Sequence, residues 1–91
     1  MKIKLFYLKY CPYCKSAFKA LDELKKENFL YKNIDIEFIE ENEHPKEVAM
    51  YDYQYVPSIF FDQKKIYEAN PGESYQEIKE KIRKVLEKAL G

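Results

Sequence analysis

The apolar pattern changes period across one tetrapeptide, and that change constrains the fold more than any other feature of the chain. Lys2-Ile3-Lys4-Leu5-Phe6-Tyr7-Leu8 reads as a strand. It becomes apolar on both faces toward its end, as a central parallel strand does. Lys15 to Asn28 reads as a helix, with Cys14, Ala17, Phe18, Leu21 and Leu24 on one face and Lys15, Lys19, Asp22, Glu23 and Lys26 elsewhere. Between the two lies Cys11-Pro12-Tyr13-Cys14, and Pro12 suits a first helical turn, where a missing N–H costs little. A second strand follows, with Ile34, Ile36 and Phe38 alternating against Asn33, Asp35 and Glu37. A helix joining two strands favours a parallel pair through a right-handed crossover.

The remainder adds shorter elements. Pro45 is placed to open a helix running to about Tyr53, and Val56-Pro57 breaks it. Ser58 to Asp62 reads as a third strand with Ile59, Phe60 and Phe61 at its centre. Lys65 to Ala69 pairs back as a fourth across Asp62-Gln63-Lys64, a turn without the Asn-Gly or Asp-Gly signal of an ideal hairpin. After the break at Asn70-Pro71-Gly72, Ser74 and Glu77 spell a capping box. The last helix carries Ile78, Ile82, Val85, Leu86 and Ala89 in one stripe. The order β-α-β-α-β-β-α defines an α/β domain, a four-stranded mixed sheet with helices on both faces.

Composition narrows function by exclusion. The 91 residues make one domain, with a 46% apolar share that is enough for a core. Lysine plus arginine balances aspartate plus glutamate at 16 each, which gives no electrostatic footprint for nucleic acid. No apolar run approaches the roughly 20 residues of a membrane span. Lys2 and Lys4 alternate with core-type residues, so the expectation is a strand and not a secretory signal. Both cysteines fall in one Cys-x-x-Cys, which points to chemistry in a reducing compartment; a cytoplasmic setting and a monomer are the expectations.

The two thiols sit where a strand hands over to a helix N-terminus. Unpaired N–H groups and the positive end of the helix dipole favour a thiolate there. Cys11 precedes the helix and is the expected nucleophile; Cys14 lies in the first turn and is the expected resolving thiol. Lys9 and Lys15 add positive charge nearby. Half of a zinc site is the competing interpretation, but zinc needs about four ligands, and the chain offers no second cysteine pair and a lone His44. Tyr10 and Tyr13 bracket the cysteines and are placed to line a groove for a peptide or a glutathionyl group. Tyr51, Tyr53 and Tyr55 are assigned to core or rim packing, and His44 to a solvated loop. The Lys/Glu run from Lys79 to Lys88 is read as a solvated face with i,i+4 pairs.

Cys11-Pro12-Tyr13-Cys14 after an N-terminal strand, followed later by Tyr55-Val56-Pro57-Ser58-Ile59-Phe60, resembles the glutaredoxin family of the thioredoxin-like fold. The segment order matches over nearly the whole chain. The resemblance implies a dithiol oxidoreductase acting through Cys11 and Cys14 on protein disulfides or glutathionylated substrates. It implies no bound cofactor, with glutathione as a co-substrate or a flavoprotein reductase as electron donor. It also implies a cis Pro57 against the sulfurs, with Val56 offering its backbone to a bound thiol substrate.

Three stretches depart from the family pattern. Leu8 stands where members commonly carry a lysine for the glycyl carboxylate of glutathione, and Lys9 is one place late. Tyr67-Glu68-Ala69 stands in place of Gly-Gly, and Asn70-Pro71-Gly72-Glu73-Ser74 replaces the residues that hold the glutamyl end. Dithiol chemistry therefore carries over and glutathione specificity does not. Two further readings compete: a peptide-docking module built on Val56-Pro57 and the tyrosines, and a glutathione-dependent iron–sulfur carrier using Cys11.

Overall fold

A computed structural model describes residues 2–91. Its elements are β1 (Ile3–Tyr7), α1 (Pro12–Glu27), a 3-10 turn (Phe29–Asn33), β2 (Ile36–Glu40), α2 (Pro45–Val48), β3 (Ser58–Phe61), β4 (Lys64–Glu68) and α3 (Tyr75–Leu90). The strands form one mixed sheet in the order β2-β1-β3-β4. β1 pairs parallel with β2, Ile3 opposite Ile36, and antiparallel with β3, Leu5 opposite Ile59. β3 pairs antiparallel with β4.

Strand periodicity explains the two layers on either side. Ile3 and Leu5 point toward α1 and α3, where they join Leu24, Ile59, Ile82 and Leu86 in the main core. Phe6 points the other way and joins Ile39 and Phe60, covered by Val48, Tyr51, Tyr53 and Val56. Central β1 is thus buried on both sides. Each fully buried aliphatic side chain contributes about 1.5–3 kcal/mol relative to exposure. On the second face Phe6 and Phe60 meet edge to face at 5.7 Å, and Tyr51 lies 4.8 Å from each ring. Lys4 extends under the same cluster, paired with Glu47, its ammonium 5.3 Å from the Tyr51 ring centre.

Several boundaries differ from the sequence expectation, each for a physical reason. α2 ends at Val48 rather than near Tyr53. Tyr51 and Tyr53 both cover Phe6, and residues two apart share a side only when the chain is not helical. β2 begins at Ile36, because Asn33 closes the 3-10 turn and Ile34 caps it. As the edge strand it leaves Phe38 41% exposed, against the Phe18 ring, while Ile39 is the residue that is buried. The turn into β4 is tighter than expected: Phe61 pairs with Lys64, and Asp62 takes a left-handed φ of 54°. Aspartate tolerates that conformation better than most residues. A bulge between Ile59 and Phe60 shifts the β3–β4 register.

The last helix starts as its sequence spells. The Ser74 hydroxyl accepts the Glu77 N–H at 3.1 Å and the Glu77 carboxylate accepts the Ser74 N–H at 2.9 Å. Its charged residues mainly tie it to α1 instead of pairing along the helix. Lys79 meets Glu23 at 3.3 Å and Glu27 at 2.8 Å, and Arg83 meets Glu27 at 3.1 Å. Among the described residues no helix is long and apolar enough to cross a membrane.

Candidate active site: a dithiol at the start of the first helix

β1 delivers the chain to the end of the sheet, and a short turn lifts it into α1. The Cys11 N–H donates to the Leu8 carbonyl at 3.4 Å, and the Cys11 carbonyl accepts the Lys15 N–H at 3.0 Å. Cys11 is the N-cap, with extended φ and ψ of −85° and 124°, and Pro12 occupies the first helical position. The geometry follows from the tetrapeptide: Pro12 has no N–H to satisfy and a φ already suited to the helix. Cys11 is partly exposed and Cys14, one turn inside, is 1% exposed; both are free thiols.

The two sulfurs meet different partners. Cys14 Sγ accepts the Leu8 N–H at 3.5 Å. Burial pushes its thiol up to about 12; the Leu8 amide pulls against that, and neighbouring Cys11 adds to it. The peptide that supplies this N–H also accepts, through the Tyr7 carbonyl, the Glu41 N–H at 3.0 Å. Cys11 Sγ instead faces the Val56 carbonyl at 3.7 Å, in donor position. The Val56–Pro57 peptide is cis and Pro57 is buried. Cys11, Cys14, Val56 and Pro57 therefore converge from two segments far apart in sequence.

The other sequence candidates fall around this centre. The Tyr13 hydroxyl reaches across to the loop after β4, where it accepts the Gly72 N–H at 2.5 Å. Gly72 holds a φ of +92° that favours glycine. Tyr10 is 96% exposed beside Cys11. Lys9 does not face the sulfurs: its ammonium pairs with Glu43 at 3.1 Å. Lys15 points to solvent. A cavity of about 390 Å³ opens between the Leu8–Cys11 turn and Glu40, Asn42 and Glu43. Glu40 on its wall is buried, accepting the Lys9 N–H at 3.3 Å and the Asn42 N–H at 2.6 Å. His44 is exposed at the start of α2.

Two acids that the sequence marked only as departures are structural acceptors at the rim. Glu73 accepts the Asn70 N–H at 2.8 Å, the Tyr67 hydroxyl at 3.1 Å and the Lys81 ammonium at 2.5 Å. Burial works against its charge, yet Lys81, the Asn70 amide and Tyr67 hold the carboxyl below the usual range. Glu68 accepts the N–H groups of Gln54 and Tyr55 at 2.5 and 2.8 Å, and Lys65 at 2.7 Å. The Gln54 and Tyr55 donors to Glu68 lie on a segment that only tertiary folding brings near, whereas Glu73 takes its partners from within eight residues of itself.

A dithiol at a helix N-terminus, facing a cis proline on a four-stranded mixed sheet, defines a protein of thioredoxin-like fold with a redox-type site. The chain belongs to the glutaredoxin family, whose model matches residues 3–66. That match stops just before Tyr67-Glu68-Ala69, where the departures after β4 begin. The chain is also similar to the solved structure of thioredoxin 1 from the thermophilic eubacterium Thermosipho africanus TCF52B. The two share 26% identity and a TM-score of 0.59, with 100% of each chain covered. None of the curated proteins matches the chain. Family and fold support thiol–disulfide redox function in general terms.

Proposed function

We propose that the chain reduces protein disulfides or mixed disulfides through a dithiol cycle, as a cytoplasmic monomer. The observation that carries this reading is the asymmetry of the two sulfurs: Cys11 partly exposed at the helix tip, Cys14 buried one turn away and held as a thiol. The Cys11 thiolate attacks one sulfur of the substrate disulfide. A Cys11–substrate disulfide forms, and the other substrate sulfur leaves as a thiolate and takes up a proton. Cys14 then loses its proton and attacks Cys11 Sγ. This releases the second substrate thiol and leaves a Cys11–Cys14 disulfide. Two electrons have moved to the substrate, and two thiols of glutathione, or a flavoprotein reductase, return them. Tyr13, Tyr10 and the Val56 backbone form the docking rim in this reading, and Lys9, engaged by Glu43, contributes at its edge.

Single-cysteine variants test the assignment. Cys11→Ser abolishes disulfide reduction, and Cys14→Ser accumulates a covalent Cys11–substrate adduct visible by intact mass. Full reduction by Cys11→Ser would refute the scheme. Retained binding of a peptide by that variant, with no turnover in the wild type, would instead establish a docking module.

A further inference from the structure

The segment before Pro57 is held on both sides of Val56. Upstream, one carboxylate oxygen of Glu68 accepts both the Gln54 and the Tyr55 N–H, at 2.5 and 2.8 Å. Downstream, the Ser58 hydroxyl donates to the Tyr55 carbonyl at 2.6 Å, and the Ala69 N–H donates to the Pro57 carbonyl at 3.0 Å. Ala69 is the residue after Glu68, so one short stretch at the end of β4 grips the segment at two points. Among the described residues the Val56 N–H has no acceptor, and its carbonyl meets only the weak Cys11 thiol donor at 3.7 Å. The clamp therefore leaves a single peptide edge open beside the reactive sulfur.

We propose that Glu68 is a positioning and specificity residue that fixes the Val56 edge for main-chain pairing with a polypeptide disulfide. The proposal rests on the dithiol reading above and adds what that site prefers as substrate. A backbone edge held in place beforehand binds an extended segment at lower ordering cost. Glu68 suits the task because its second oxygen is engaged by Lys65 at 2.7 Å, so its charge is matched on the protein itself. Burial opposes the charge, while Lys65 and the two amides hold the carboxyl below the usual range.

The test compares a short peptide with an internal disulfide against hydroxyethyl disulfide, which has no main chain to pair. The readout is the ratio of the two kcat/KM values. Loss of one well-placed main-chain hydrogen bond lowers that ratio about tenfold. Glu68→Ala and Glu68→Asp should both show the fall through KM for the peptide, since aspartate keeps the charge and loses the reach. Glu68→Gln, which keeps the accepting oxygen and loses the charge, should restore the ratio. An unchanged ratio in Glu68→Asp, or a fall in Glu68→Gln equal to that in Glu68→Ala, overturns the proposal. Failure of the wild type on both substrates overturns the dithiol reading itself.

Discussion

Cys11 and Cys14 are three residues apart in sequence and far apart in environment. One sulfur meets solvent and a carbonyl; the other meets the Leu8 amide in the core. Because burial pushes Cys14 up to about 12, it stays a thiol at neutral pH. Iodoacetamide at pH 7 should therefore label the reduced protein once, at Cys11, and label Cys14 only after denaturation. Peptide mass mapping reads the outcome, and rapid double labelling of the native protein would contradict it. At this scale the sequence was eloquent where chemistry and spacing coincide, as in Cys11-Pro12-Tyr13-Cys14 and Val56-Pro57. It was silent on Glu68, whose carboxylate accepts the Gln54 and Tyr55 N–H groups of a loop that only folding brings to it. The Lys9–Glu43 pair is equally a product of tertiary folding, with no signal at either residue alone.

Among the elements, legibility tracked how much of each is decided locally. α1 and α3 carry their apolar stripes, Pro12 and the Ser74–Glu77 box in sequence, and all appear as spelled. α2 does not: Pro45 opened it, but the aromatic cluster on the second face needed Tyr51 and Tyr53 outside a helix. The exposed Phe38 has a similar origin, because nothing in its own alternation reveals that β2 lies at the sheet edge. The capping box also sets a stability expectation. Ser74→Ala removes the acceptor for the Glu77 N–H and should destabilise the protein by about 1 kcal/mol in urea unfolding, with the slope of the transition unchanged. Ser74→Asp should recover most of that loss.

For the molecule as a whole, the buried thiol links redox state to pH tolerance. Cys14 titrates near its ordinary value of 9.0 when unfolded and at about 12 when folded. Between these values the native state holds a proton that the unfolded chain has released, so stability falls as pH rises through this window. Below pH 9 the contribution is fully present. The slope is on the order of 1 kcal/mol per pH unit. Buried Tyr67 and half-buried Tyr53, both raised chiefly by burial, add the same sign at higher pH. Denaturation curves across pH 8 to 12 should therefore be steeper for the reduced protein than for the Cys11–Cys14 disulfide form, in which the Cys14 group cannot titrate. Parallel curves for the two forms would contradict this account.

The Tyr7–Leu8 peptide has its N–H on Cys14 Sγ and its carbonyl on the Glu41 N–H. A change in the bonding of that sulfur is thus felt at once by the end of β1 and by the residue that follows β2. In a nitrogen-labelled sample the Leu8 and Glu41 amide resonances should shift together when the disulfide closes and return together on reduction. The backbone then carries its own gauge of electron occupancy, readable without dye, cofactor or added label.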